Sequence, residues 1–145
     1  MPKRKPKSVA KLKKDLWKVF SRYIRIRDAL ETTGYISDAK CVTCFRVYPV
    51  TAMDAGHFLS RRHTSILFDE TNVSAQCVGC NYGGGEQYLY SKRIVEKYGQ
   101  EGLERLLRMK EETKKYTPKE LTGLIVEYKS KVKELTDRHG SPWSD

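Results

Sequence analysis

No run of about 18 apolar residues occurs in the chain, so no helix is expected to span a membrane. No apolar stretch follows the charged N-terminus, and a secretory signal is not expected. The cytoplasm is the expected location. No acid occurs among residues 1–14, which hold Lys3, Arg4, Lys5, Lys7, Lys11, Lys13 and Lys14. No cysteine stands outside two Cys-x-x-Cys pairs, and no internal repeat is found. Histidine is restricted to His57, His63 and His139. Imidazole chemistry, if there is any, has few places to sit.

What is present fits one domain. A chain of 145 residues, 39% hydrophobic and 32% charged, suffices for one modest core under a large polar surface. The net charge of +10 points to a polyanion, with nucleic acid ahead of membrane. A solvated basic surface is the alternative. Four cysteines in two knuckles, Cys41-Val-Thr-Cys44 and Cys77-Val-Gly-Cys80, favour tetrahedral zinc over two disulfides or a redox pair in a reducing compartment. The gap from Cys44 to Cys77 is wider than the roughly 15–20 residues of a simple zinc ribbon and can hold a β-hairpin.

Taken in order, residues 1–14 read as a basic arm that orders on a phosphate backbone, or as a solvated tail. Asp15 to Leu30 reads as a helix, with Leu16, Phe20, Tyr23 and Leu30 on one stripe and Gly34 as its cap. Arg22, Arg25 and Arg27 fall mostly on its other side, reaching phosphates or water. Thr51 to Leu59 reads as a strand, Ile66-Leu67-Phe68 as its returning partner, and Ser60–Ser65 as the connection. Glu86 to Tyr98 reads as a helix closed by Gly99, and Glu101 to about Lys110 as another. Thr117-Pro118-Lys119-Glu120 is a capping box with Pro at the first helical position. The stripe Leu121, Leu124, Ile125, Tyr128, Val132 and Leu135 that follows is core or a dimer seam. Residues 140–145 read as a loose tail that Trp143 can dock.

The candidate chemistry lies between the knuckles. His57 falls on the predicted strand, Asp54 three residues before it, and Asn81 directly after the last cysteine. Asp54 and Gly56 point to one face of an extended strand and His57 to the other, so a site using both needs twist or a bulge near Gly56. Arg61 and Arg62 are candidate phosphate contacts, with Lys13, Lys14, Arg22 and Arg25 on the arm and first helix. His63 can touch phosphate or be solvated, and His139 lies near the tail. Glu86 is a possible extra metal or water ligand, or simply an acid at a helix start. Tyr88, Tyr90 and Tyr98 can stack on unpaired bases or pack in the core. Tyr82-Gly-Gly-Gly85 can approach a phosphate or uncouple knuckle from helix.

The stretches Leu16-Trp-Lys-Val-Phe-Ser-Arg-Tyr-Ile-Arg-Ile-Arg-Asp28, Cys41-Val-Thr-Cys44, Asp54-Ala-Gly-His57-Phe58, Asn72-Val-Ser-Ala-Gln-Cys77 and Cys80-Asn81 together resemble the HNH, or ββα-metal, endonucleases with a four-cysteine zinc site. They look most like the NinG/Rap group of phage recombination nucleases, over about residues 12 to 110, with Tyr98-Gly99 a further weak match. The resemblance implies an α+β fold: a zinc-stapled ββα-metal core at about 35–98 inside one domain of residues 15–139, with flanking N-terminal and C-terminal helices.

It also implies roles. His57 would be the general base that activates water. Asn72 would brace the hairpin and orient the histidine. Asn81 would be a ligand of a catalytic Mg²⁺ or Mn²⁺, and Cys41, Cys44, Cys77 and Cys80 would hold structural Zn²⁺. Many relatives carry an Asp or His immediately before the base, where this chain has Gly56. Asp54 is the expected replacement, with room left by the missing Gly56 side chain; the alternative is a surface acid, with water at the metal. The implied activity is metal-dependent cleavage of branched DNA such as Holliday junctions or displacement loops, leaving 5′-phosphate ends. A homodimer, recombination-protein partners and the host cytoplasm are the matching expectations. A non-catalytic zinc module that binds DNA is the alternative.

Overall fold

Leu12, Leu16, Phe20 and Ile24 recur every four residues, and all are buried. They form the inner stripe of α1 (Val9–Thr32). The computed structural model describes residues 5–144. In it α1 starts earlier than its apolar pattern suggested. The Ser8 hydroxyl caps it by accepting from the Lys11 N–H at 3.1 Å, and Lys7 and Lys11 both pair with Asp15. Residues 9–14 of the expected arm are therefore helix, which fixes Lys11, Lys13 and Lys14 in place. Lys3 and Arg4 lie outside the described residues.

The fold is α+β. After α1 come β1 (Asp38–Lys40) and β2 (Val47–Pro49), an antiparallel hairpin with the first cysteine pair at its tip. Next come β3 (Met53–His57) and β4 (Val73–Cys77), a second antiparallel pair. The short helix α2 (Val78–Tyr82) leads directly out of β4. The order ends with α3 (Gln87–Met109) and α4 (Pro118–His139). Gly99, at φ 76° and ψ 171°, interrupts α3 where the sequence predicted a break.

Two expectations about the second sheet need correcting. The partner of β3 is Val73–Cys77, not Ile66–Phe68. Thr64–Ile66 is a 3₁₀ turn instead, with Ile66 buried. An apolar triplet does not reveal whether it extends or turns, and here side-chain hydrogen bonds from Asn72 hold the segment as a loop. The ladder also runs unbroken from Met53↔Cys77 to His57↔Val73, so no bulge occurs near Gly56.

α4 supplies core to its own chain. Thr117 caps it, and Leu121 and Tyr128 are buried. Tyr128 meets Phe20 edge-on at 4.9 Å. Inward packing thus accounts for those two positions of its stripe. One cluster lies between α1 and α4, a second surrounds the cysteines, and a third joins Phe58, Ile66, Tyr90, Ile94 and Leu106 beneath α3.

Arg27 and Asp28 bolt α1 to the second sheet. Arg27 Nε donates to Asp28 at 2.8 Å, and its other nitrogens donate to the Glu70 and Val73 carbonyls. Asp28 accepts from the Ala75 N–H at 2.7 Å. Burial opposes the Arg27 charge, but the adjacent Asp28 carboxylate more than offsets it and raises the pKa above the ordinary arginine value. The alternatives considered for Arg27, phosphate or water, do not hold: it is a buried brace.

Candidate functional site

The cysteines are brought together by two turns. Cys41 and Cys44 sit at the tip of the β1–β2 hairpin, where Phe45 adopts φ 62° and its N–H returns to the Cys41 carbonyl. Cys77 ends β4, and Cys80 lies on α2. The Val42 N–H docks the hairpin tip on the Ala75 carbonyl. All four sulfurs lie within 4.8 Å of one another, and Cys44 and Cys77 are 4.0 Å apart. A tetrahedral Zn–S₄ site with bonds of about 2.3 Å needs sulfurs roughly 3.8 Å apart, so the cluster fits the ion closely.

Backbone N–H groups also point at the sulfurs: that of Cys77 at Cys41 Sγ, 3.3 Å, and that of Cys80 at Cys77 Sγ, 3.4 Å. Burial opposes ionisation of Cys41, but the Cys44 and Cys77 N–H groups and the Thr43 hydroxyl bring its thiol down to about 6. These donors suit thiolates.

Asn81 rides on α2, one residue after Cys80, so the cysteine cluster also places its amide. Asn81 Nδ2 donates to the Asp54 carboxylate of β3 at 3.0 Å. Asn81 and His57 both line a cavity of about 260 Å³, together with Ser60, Arg61, Gly85 and Gln87. Asp54 does not line it and reaches it through Asn81. The amide and carboxylate are hard oxygen donors of the kind Mg²⁺ and Mn²⁺ take. This pairing uses both faces of β3 without a bulge, because Asn81 spans them.

The space at Gly56 is filled differently from expectation. A Cβ there would meet Gln76 Oε1 at 2.1 Å. The cross-strand Gln76 side chain, not the Asp54 carboxylate, occupies that room. Gln76 Nε2 donates to Thr43 Oγ1 and to the Gly85 carbonyl, tying the first knuckle to the glycine loop that borders the cavity. Gln87 ties the same side to the Phe58 carbonyl. A polar residue inside a buried strand was the one sequence signal available for Gln76.

His57 is held on two sides. Nε2 donates to the Leu67 carbonyl at 3.0 Å. A carbonyl only accepts, so Nε2 carries the proton and Nδ1 keeps its lone pair. The ring stacks on Trp17 of α1 at 4.8 Å between centroids, and the Arg61 guanidinium lies 4.6 Å from the same indole. Nothing local in the sequence marks Trp17 as the platform for His57. Burial lowers the imidazole pKa, the Leu67 carbonyl partly restores it, and Arg61 lowers it further, to about 4.

The ring is therefore neutral near pH 7. Between about 4 and the ordinary 6.5 the unfolded chain takes up a proton that the folded chain does not. This group's effect on stability is thus level above 6.5 and grows unfavourable as pH falls towards 4. An NMR titration should place the His57 inflection well below pH 6; an inflection at 6.5 would mean a solvated ring.

Asn72 has no exposed surface. Its Oδ1 accepts from the Leu59 N–H, and its Nδ2 donates to the Leu59 and Ile66 carbonyls. It closes the loop that carries the Leu67 carbonyl, and so acts on His57 from a distance. Asn72→Ala should cost about 2–4 kcal/mol in denaturant unfolding and move the His57 inflection towards 6.5. An unshifted inflection would separate the loop from the ring.

The cationic candidates divide. Lys13, Lys14 and Arg61 line a groove with Trp17, Leu67 and Phe68, and Arg61 also lines the His57 cavity. Arg62 is exposed on the same loop. Arg22 lies 4.6 Å from the Trp143 ring, around α1 from that groove. Arg25 is a correction: it donates to the Ser21, Val50 and Met53 carbonyls and stacks on Trp143, so its guanidinium serves the fold. Trp143 also packs against the cysteine cluster, which docks the expected loose tail.

Glu86 is exposed, in left-handed backbone at φ 52°, and does not line the cavity. Tyr90 is buried and donates to the Gly56 carbonyl at 2.6 Å. Tyr98, on α3, packs against the cluster of Phe58, Ile66 and Tyr90, whereas Tyr88 is 73% exposed. His63 precedes the 3₁₀ turn and His139 ends α4, and neither lines the cavity.

No helix among the described residues is long and apolar enough to cross a membrane. No solved structure matches the chain. Proteins named Protein ninG from Escherichia phage 933W and Salmonella phage P22 are each 28% identical to it, over 100 and 102 residues. Those alignments cover 68% and 69% of this chain and 49% of each relative, so the chain spans about half the length of the curated relatives it matches. The family model described as Bacteriophage Lambda NinG protein matches residues 1–138, and with a match of that extent the chain belongs to the NinG family.

Proposed function

We propose that the chain is a metal-dependent DNA endonuclease of the HNH type, acting on branched recombination intermediates. One observation carries the reading: the His57 imidazole, with Nδ1 unprotonated, shares a cavity with the Asn81 amide, which follows the cysteine cluster and is bonded to Asp54. The consecutive order β3, β4 and α2 supports a ββα reading. A divalent ion held by Asp54 and Asn81 would neutralise charge at the scissile phosphate and its leaving oxygen.

His57 Nδ1 accepts a proton from the water that attacks phosphorus. The P–O3′ bond breaks and the leaving 3′ oxygen takes a proton from solvent, so a 5′-phosphate and a 3′-hydroxyl result. Bound DNA raises the low imidazole pKa, because the nearby phosphate favours the charged ring. Arg61, beside both the cavity and the Lys13–Lys14 groove, holds the phosphate in place. A homodimer would offer two such cavities for paired nicks.

Branched DNA as substrate is what the resemblance to the phage recombination nucleases implies; the net charge of +10 supports a polyanion. The host cytoplasm is the matching location. The test is a cleavage panel of linear, nicked, flap and four-way DNA in Mg²⁺ or Mn²⁺. Cleavage of branched forms supports the reading. Binding without nicking under every metal would instead favour a zinc-stabilised DNA-binding module, which the cysteine cluster fits equally well. Asp54→Ala should reduce cleavage by about 10²-fold or more and raise the Mg²⁺ concentration needed. Full metal-dependent activity in that variant would remove Asp54 from the site.

A further inference from the structure

α1 carries cations on two edges. Lys13, Lys14 and Trp17 line the groove that runs to the His57 cavity. Asp15, Lys18, Val19 and Arg22 line a second and larger groove, of about 590 Å³, between α1 and α4. At about 100° per residue the two sets are centred roughly 140° apart around the helix.

The far wall of the second groove is α4, with Lys129 and Lys133. Each wall repeats its charge at i and i+4, about every 6 Å along the axis. Lys7 completes the lining cations, and Asp15 is the one lining acid. Its charge is already met by Lys7 and Lys11, which lower its pKa to about 2. Lys133 pairs with Asp137 on the surface, while Lys18 and Lys129 make no ion pair among the described residues. Trp143 forms part of the lining, with Arg22 against it.

We infer that the α1–α4 groove is a second nucleic-acid backbone site, which holds one arm of a branched DNA while the Lys13–Lys14 groove presents another arm to His57. Two parallel rows of regularly spaced positive charge complement a regular polyanion. Two grooves on either side of one helix match a substrate whose arms diverge. The inference rests on the proposed DNA-binding reading and deepens it by naming where the second arm lies.

The test counts duplexes. A straight duplex of about 12 base pairs, on the order of 40 Å long, is too stiff to bend around α1. The wild-type chain should bind two per chain at low salt, by native mass spectrometry and calorimetry. K18E/K129E and K13E/K14E should each bind one. K18E/K129E should also lose about tenfold or more in affinity for a four-way junction, and the slope of log K against log salt should fall by about 2. Its melting temperature should stay near wild type, since both lysines are on the surface.

One duplex per wild-type chain, or two on K18E/K129E, would overturn the inference. So would a glutamate-rich peptide that binds wild type but not K18E/K129E while only one duplex binds, which would give the groove to an acidic protein segment. A chain that holds two duplexes but never nicks DNA keeps this inference and loses the nuclease reading. A chain that nicks DNA but holds one duplex does the reverse.

Discussion

Alanine at position 57 should slow cleavage of branched DNA by about 10²–10⁴-fold, the usual contribution of a positioned general base. DNA affinity should change by less than about threefold, because His57 lies beside the cationic groove rather than among its charges. The fold should survive: the lost interactions are one hydrogen bond to Leu67 and one ring contact with Trp17, worth about 1–2 kcal/mol together. Circular dichroism and a salt-dependent binding curve check both points. The comparison separates two ways of losing activity. Trp17→Ala leaves the base in the chain but removes its platform, so a weaker loss is expected, along with a His57 inflection nearer 6.5. Unchanged cleavage by His57→Ala would end the general-base assignment, whatever the DNA affinity.

Removing zinc should have the largest effect on stability. Structural zinc sites contribute about 10–16 kcal/mol of apparent binding energy in small metal-dependent folds. Here the two apolar clusters that contain no cysteine remain without it, so a smaller net loss is expected. We expect at least about 4 kcal/mol, a drop in Tm on the order of 15 °C, on chelation or on Cys77→Ser. Cys77 makes the strongest test because it ends β4, caps α2 and is buried. Without the ion, burial keeps Cys44 and Cys80 protonated, with the Cys80 thiol pushed up to about 12. Zinc binding must therefore release protons and weaken in acid. Cleavage should fail before global unfolding, since Asn81 follows Cys80 and loses its anchor first. Metal analysis should find one zinc per chain. No zinc, together with a melting curve indifferent to chelator, would make the four cysteines a thiol cluster and leave the position of Asn81 without a cause.

Features that depend on neighbours along the chain are legible in the residues alone. Paired Cys-x-x-Cys spacing was enough to anticipate a four-sulfur cluster, because each knuckle's backbone turn sets its own two sulfurs. The stripe of α1, the Thr117–Pro118 start of α4 and the interruption at Gly99 were legible for the same reason: helical period, capping and left-handed backbone are local. The start of α1 does not show in the apolar stripe, because a polar residue, Ser8, sets it by capping.

Which surfaces meet is a property of the packed fold. It put Trp17 under His57, 40 positions away in sequence, and gave the space above Gly56 to Gln76 rather than to Asp54. It turned Arg25 and Arg27 inward, onto carbonyls their own helix could not supply. It made Val73–Cys77 the partner of β3 by burying all five of its residues. Periodicity tells which side of an element is apolar, but a contact needs two elements. The partner is settled only when the elements pack and their buried polar groups find hydrogen bonds across the contact, as Arg27 and Asp28 do on β4.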